Sequence, residues 1–141
     1  MNASKNSSTA NIIPTMKYND AVAAIEWLVK AFGFKKHLVV EGAPGKIAHA
    51  QLTYGPGMIM LGSAGDSEFD SLQKPPSENS NATTQSAYIV VDDADAHYKQ
   101  AVANGAKIVM ELADADHGGR FYACKDPEGH LWNFGTYDPW Q

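Results

Sequence analysis

Hydrophobic residues recur along this chain with two alternating periods, and the whole alternation occurs twice. Residues 12–18, "IIPTMKY", read as a short strand. Asn19 or Asp20 can then cap a helix in which Val22, Ile25, Leu28, Val29 and Phe32 follow at helical spacing, and Gly33 closes it. Three short runs come next, "KKHLVVE", "KIAHAQLTY" and "GMIML", divided by the turn-forming clusters "GAPG" and "GPG". They predict three strands, the last two a hairpin.

The second half repeats the order. "SAYIVV" is a strand, "DDADAHYKQAVANG" a capped helix closed by Asn104-Gly105, and "AKIVME", "GRFYACK" and "HLWNFGT" are three more strands. "YNDA" at 18–21 answers "VDDA" at 91–94, "KAFGFK" answers "VANGAK", and "YGPGMIML" answers "DPEGHLWN". A shift of about 72 residues superposes the halves. The pattern predicts an α+β fold of two βαβββ modules, residues 12–62 and 84–137, within one domain spanning 12–141. Residues 63–83 form the joining loop. Its Pro/Gly/Ser-rich composition suits a disordered linker, whereas Phe69 and Leu72 would suit a lid. Residues 1–11, "MNASKNSSTAN", read as a flexible tail with no apolar centre for a secretion signal.

Composition narrows the function classes. The 141 residues carry 11 Lys plus Arg against 16 Asp plus Glu, a net charge of -5. Lys35-Lys36 is the longest basic run, so nucleic acid is not an expected partner. No apolar stretch approaches the roughly 20 residues needed to cross a bilayer, so no membrane role is expected. Cys124 stands alone, which excludes an intramolecular disulfide and a multi-cysteine zinc site and accords with a cytoplasmic location.

The fragments "IIPTMKYNDAVAAIEWLVKAFGF", "IAHAQLTYGPGMIML" and "DPEGHLWNFGTYDP", with the module order, resemble the vicinal oxygen chelate superfamily over residues 12–139. That superfamily contains glyoxalase I, extradiol dioxygenases, fosfomycin-resistance transferases and bleomycin-resistance proteins. The resemblance implies curved sheets forming an open cup, and often a homodimer. In metal-dependent members it also implies a divalent ion held at four stations, on the first and last strand of each module. Here the first station falls at Ile13 or Pro14, the second at Met60 or Leu61, the third at Ser86 between Gln85 and Ala87, and the fourth at Asn133. None offers the imidazole or carboxylate that such an ion draws on. No metal and no other cofactor is expected, and Asn133 stands where metal-dependent relatives place a glutamate.

Parity supplies the candidate binding residues. In "KIAHAQLTY" strict alternation puts Ile47, His49, Gln51 and Thr53 on one side and Lys46, Ala48, Ala50 and Leu52 on the other. Tyr88 shares a face with Ser86, and Leu131 shares one with Asn133, leaving Trp132 and Phe134 for the core. In "GRFYACK" it stays open whether Arg120 and Tyr122 or Phe121 face inward. His97 on its helix and His117 in a Gly-rich turn read as solvated, His130 as a hairpin residue, and Trp27 as core or dimer contact. Nothing activates Cys124 as a nucleophile.

The expected function is that of a metal-free binding protein, similar to the bleomycin-resistance branch. It would sequester a small organic molecule by apolar contact with Met60, Tyr88 and Leu131 and by polar orientation from His49, Gln51, Ser86 and Asn133. Two alternatives stand beside it. One is a lyase, isomerase or dioxygenase with a non-standard metal site or with His49 as general base; the other is a structural or regulatory dimer with an unused cup.

Overall fold

The computed structural model describes residues 9–141, so the expected tail lies outside the described residues as far as residue 8. The described chain divides into two compact units, one ending at Pro75 and the other running Pro76–Gln141. The first contains β1 (Thr15–Tyr18), α1 (Ala21–Phe32), β2 (Lys35–Glu41), β3 (Ile47–Tyr54) and β4 (Gly57–Ser63). The second contains β5 (Ala87–Val90), α2 (Ala94–Ala103), β6 (Lys107–Asp114), β7 (Arg120–Lys125) and β8 (Leu131–Gly135). Each unit is thus a βαβββ module with a four-stranded mixed sheet, ordered β1-β4-β3-β2 in one and β5-β8-β7-β6 in the other. The first strand runs parallel to the last, and the remaining pairs are antiparallel.

In the first unit the helix begins where the Asp20 carboxylate accepts from the Ala23 amide at 3.1 Å. It ends where Gly33 turns left-handed at φ 87° and donates its N–H to the Val29 carbonyl. The buried face is Ala21, Ala24, Ile25, Leu28, Ala31 and Phe32. Val22, placed on that face by the spacing, is instead 45% exposed. Three alanines take the inner line of the helix, and their small side chains let the backbone approach the sheet. Fully burying Leu28 and Phe32 contributes roughly 1.5–3 kcal/mol each.

In the second unit Trp132, Phe134, Tyr122 and Cys124 are fully or almost fully buried. His97, expected to be solvated, is buried with them: its Nδ1 lies 2.6 Å from the Tyr122 hydroxyl and its ring 4.2 Å from that of Phe134. A phenol carried into the core requires a polar partner there, and α2 supplies it.

The two β-hairpins differ by one residue. Thr53 pairs with Met58 across four residues, Tyr54 to Gly57, whereas Lys125 pairs with Leu131 across five, Asp126 to His130. The longer turn is built around the buried Asp126, whose Oδ1 accepts from the Glu128 and His130 amides and whose Oδ2 accepts from the Trp132 indole at 3.0 Å. Asp126→Ala leaves that indole N–H without its partner and is expected to cost about 2–4 kcal/mol. The check is a denaturant midpoint lowered at unchanged m-value.

Candidate functional site

Strand pairing decides which side chains each sheet offers opposite its helix. In the first unit Gln51 lies beside Met60, and Met60 beside Thr15. Next to Gln51 on the other flank is Leu38, and next to His49 is Val40. His49, Gln51 and Met60 therefore share the face turned away from α1, and all three are half-buried.

Two irregularities in the β2–β3 ladder reshape that face. One lies between Val40 and Glu41 and leaves Ala48 without a partner, so Glu41 pairs with Ile47. The extra residue turns Ile47 to the helix side, where it is 5% exposed and lines a cleft of about 360 Å³ with Val22, Ile25, Glu26, Lys36 and Val39. The expected grouping of Ile47 with His49 is thereby corrected: a bulge reverses parity. The cleft itself opens on the opposite side of the sheet from His49.

The second irregularity falls between Lys36 and Leu38 and makes His37 the extra residue. Its Nδ1 comes to 3.0 Å from Gln51 Nε2, while Gln51 Oε1 lies 2.9 Å from His49 Nε2. A carbonyl oxygen only accepts and an amide nitrogen only donates, so His49 donates at Nε2 and His37 accepts at Nδ1. The outcome is an imidazole-amide-imidazole chain on an accessible sheet face. His37 was not among the expected site residues. Its one sequence signal is the adjacent apolar triplet Leu38-Val39-Val40, which breaks period two as a bulge does.

Along the β1 edge, the segment after β4 folds back as a strap containing a single 3-10 turn at Phe69–Ser71. Gln73 donates to the Thr15 carbonyl at 2.7 Å. Asp70 lies 3.3 Å from the Lys17 ammonium, accepts from the Ser67 hydroxyl and amide, and is 7% exposed. Hydrogen bonding from the Ser67 hydroxyl, above all, holds its carboxyl down at about 2 against an ordinary 3.8, with burial opposing and Lys17 assisting. Phe69 is 53% and Leu72 78% exposed. The Phe69 ring stands 5.8 Å from Lys17 Nζ.

In the second unit Tyr88 lies beside Asn133, and Asn133 beside Ala123. Leu131, Asn133 and Tyr88 share the face away from α2, with the exposed Ser86 two residues before Tyr88. Their polar groups are turned inward on the sheet. Asn133 donates to the Ser86 hydroxyl at 2.9 Å and to the Ala87 carbonyl at 3.0 Å. Tyr88 donates to the Tyr137 carbonyl at 2.8 Å and its ring covers Gly135, where an added Cβ would stand 2.5 Å from its oxygen. Burial, reinforced by Tyr137 and Asp138, raises the Tyr88 phenol above its usual range, so it stays a donor.

Arg120 belongs to the helix side. It donates to Asp95 of α2 at 2.8 Å and to Asp114 at 3.0 Å, and Tyr122 lies on that side too; Phe121 shares the face with Asn133. The Cys124 thiol is pushed up to about 12, mainly by burial and secondarily by Asp126.

The longer second hairpin also settles the station left open. Beyond that turn the offset between modules grows by one, so Met60, not Leu61, corresponds to Asn133. Thr15 opposite Met60 then corresponds to Tyr88 opposite Asn133, and Ile13 to Ser86. Ile13 and Met60 in the first unit, and Ser86 and Asn133 in the second, provide one thioether, one hydroxyl and one amide. The first pair offers no hard donor, and the second only a neutral hydroxyl and a neutral amide, with no imidazole or carboxylate. Among the described residues no group of three or more His, Cys, Asp or Glu side chains is placed to hold one. No described helix is long and apolar enough to cross a membrane.

Comparison with known proteins bears on the fold and on the family. A family model described as "Glyoxalase/Bleomycin resistance protein/Dioxygenase superfamily" matches residues 15–134. The Mycobacterium bovis protein Mb0911c is 31% identical over 122 residues, which cover 86% of this chain and 80% of that one. The crystal structure of TioX from Micromonospora sp. ML1 is similar with a TM-score of 0.72 and 34% identity, covering 89% of this chain and 97% of that one. Glyoxalase I from Zea mays shares the fold, with a TM-score of 0.66 at 17% identity over 87% of this chain and 43% of its own.

Two titrations test this geometry. The Asp70 carboxyl is depressed in the folded state, so its stabilising contribution is complete above the unfolded value of 3.8 and is lost as pH falls toward about 2. Asp70→Asn should flatten that part of the stability-against-pH curve, measured by denaturant titration across the acid range. Cys124 in the native chain should resist alkylation at mildly alkaline pH and react at an ordinary thiol rate once unfolded, read by mass spectrometry.

Proposed function

We propose, from the premise that this chain belongs to the glyoxalase/bleomycin resistance protein/dioxygenase superfamily, that it binds a small organic molecule without a metal ion. The observation that supports this most directly is the chain of His37, Gln51 and His49 beside Met60. It lies on β2 and β3, in the same sheet as Met60 of β4, and neither Met60 nor Ile13 ahead of β1 carries a hard donor. A ligand laid there would cover the Met60 thioether and the neighbouring Leu38, each square ångström of apolar surface contributing roughly 25 cal/mol. It would exchange hydrogen bonds with imidazole nitrogens that the Gln51 amide holds in defined roles. Holding a molecule requires affinity alone, with no group matched to a transition state.

In the second unit, Tyr88, Leu131 and the carbonyl end of Asn133 extend the same reading, with Ser86 as the partner that fixes the amide. A cytoplasmic homodimer completes the proposal. Sedimentation as a monomer at micromolar concentration would remove the dimer.

The test is a fragment titration of the full chain followed by amide and methyl NMR in the presence of a chelator. Bound fragments should shift the Gln51 side-chain amide and the Met60 methyl. Gln51→Leu should weaken them about tenfold, or about 1.4 kcal/mol, with unfolding stability changed by less than about 1 kcal/mol. Binding that appears only after zinc, nickel, manganese or iron is added would refute the proposal.

A further inference from the structure

We infer that the ligand held on the face of the first sheet is an organic anion, bound by a single proton shared across His37, Gln51 and His49 and by the field of Lys35. This builds on the proposed binding at that face and adds the ligand's charge.

The charge inventory of the face carries the inference. By register, Lys35 of β2 lies opposite Thr53, on the Gln51 side of the sheet. Lys17 of β1 lies opposite Gly62 on the same side. β4 contributes Met58, Met60 and Gly62 there, none of them ionisable. β3 contributes His49, and β2 contributes His37 at its bulge. The carboxylate turned to this face is Asp70 of the strap, and it pairs with Lys17. Glu41 and Glu26 belong to the opposite side, where they line the cleft with Lys36. The strap's other acids, Asp66 and Glu68, are exposed, where salt screens them. In a chain of net charge -5, the ionisable groups that the described strands and strap of the first unit turn to this face outside the Lys17–Asp70 pair are therefore all basic.

The amide sets how many protons that face takes up. His49 donates to Gln51 and can accept a proton on its other nitrogen with no hydrogen bond lost. His37 accepts from Gln51 through Nδ1, so protonating that nitrogen opposes two donors and breaks the contact. Turning the amide over exchanges the two roles but leaves the count unchanged. The triad therefore takes one proton readily and a second only by losing a hydrogen bond.

The probes are naphthalenesulfonate, which is ionised at every pH used, its neutral counterpart naphthalenesulfonamide, and the cation naphthylmethylammonium, each titrated into the full chain by calorimetry and NMR. The sulfonate should bind at least tenfold tighter than the sulfonamide at pH about 5.5, and its affinity should fall toward pH about 8 with a slope near one proton per anion. Lys35→Glu, at an exposed position, should weaken the sulfonate severalfold and leave the sulfonamide unchanged. His37→Asn and His49→Asn combined should abolish the pH slope while the protein stays folded by circular dichroism. Equal binding of all three probes, or tighter binding of the cation, would overturn the anion assignment and leave the proposed binding site standing. A slope near two would overturn the shared proton. Failure of all three probes to shift any residue of this face would overturn the anion assignment and the proposed function together.

Discussion

A primary amide set between two imidazoles has one accepting end and one donating end, and the hydrogen-bonding pattern on the accessible face of the first sheet follows from that asymmetry. Gln51 forces His37 and His49 into opposite roles toward it. Each ring then presents outward the complement of what it gives inward: His49 an acceptor, His37 a donor. Without the amide the two histidines would be independent groups with free choice of tautomer. With it they form one unit in which one ring donates to the amide and the other accepts from it. The geometry depends in turn on the β2 bulge, since in an unbroken ladder the residue after Lys36, not Leu38, would pair with Gln51.

The two modules share a fold and use it differently. In the second unit a longer turn anchored on Asp126 locks Trp132, the His97 and Tyr122 pair fills the space beneath α2, and Asn133 binds its own neighbours. Its polar groups are mostly satisfied by the sheet. In the first unit Met60 stands at the position of Asn133 and Gln51 at that of Ala123, and the Gln51 amide meets the two imidazoles on the accessible face. Hydrogen bonds closed within a sheet rigidify it, whereas those left on an accessible face can be exchanged for bonds to a ligand at small net cost. Repetition supplied the scaffold, and the departures from repetition distinguish the two halves.

The repeat, both capped helices, with Asn19 or Asp20 at the first, and the order of elements along each module were legible in the sequence because period and turn chemistry are local properties. So was the placement of Trp132 and Phe134 toward the helix, which needs only unbroken alternation. What escaped were features that depend on one inserted residue. Ile47 was assigned to the wrong face because the Ala48 bulge reverses parity before it reaches β3's end. The second station stayed between Met60 and Leu61 because hairpin length is settled by pairing, not by composition. His97 was read as solvated because its buried partner, Tyr122, is 25 residues away in sequence. The strap's attachment through Lys17 and Asp70 joins residues equally unrelated by pattern.

These departures also bear on how far the chain stands from a metal-binding relative. Replacing Asn133 by glutamate would set a carboxylate beside the Ala87 carbonyl and the Ser86 hydroxyl, where the present amide donates. The backbone carbonyl would then face a second acceptor, and the Ser86 hydroxyl alone could reverse its role. In the first unit Met60 would have to become a hard ligand and Ile13 would have to gain a donor, each change leaving an unpaired polar group until the others were made. Intermediates along that path lose stability before they gain an ion. At these positions the present sequence is self-consistent without a carboxylate, since Asn133 donates to both of its neighbours.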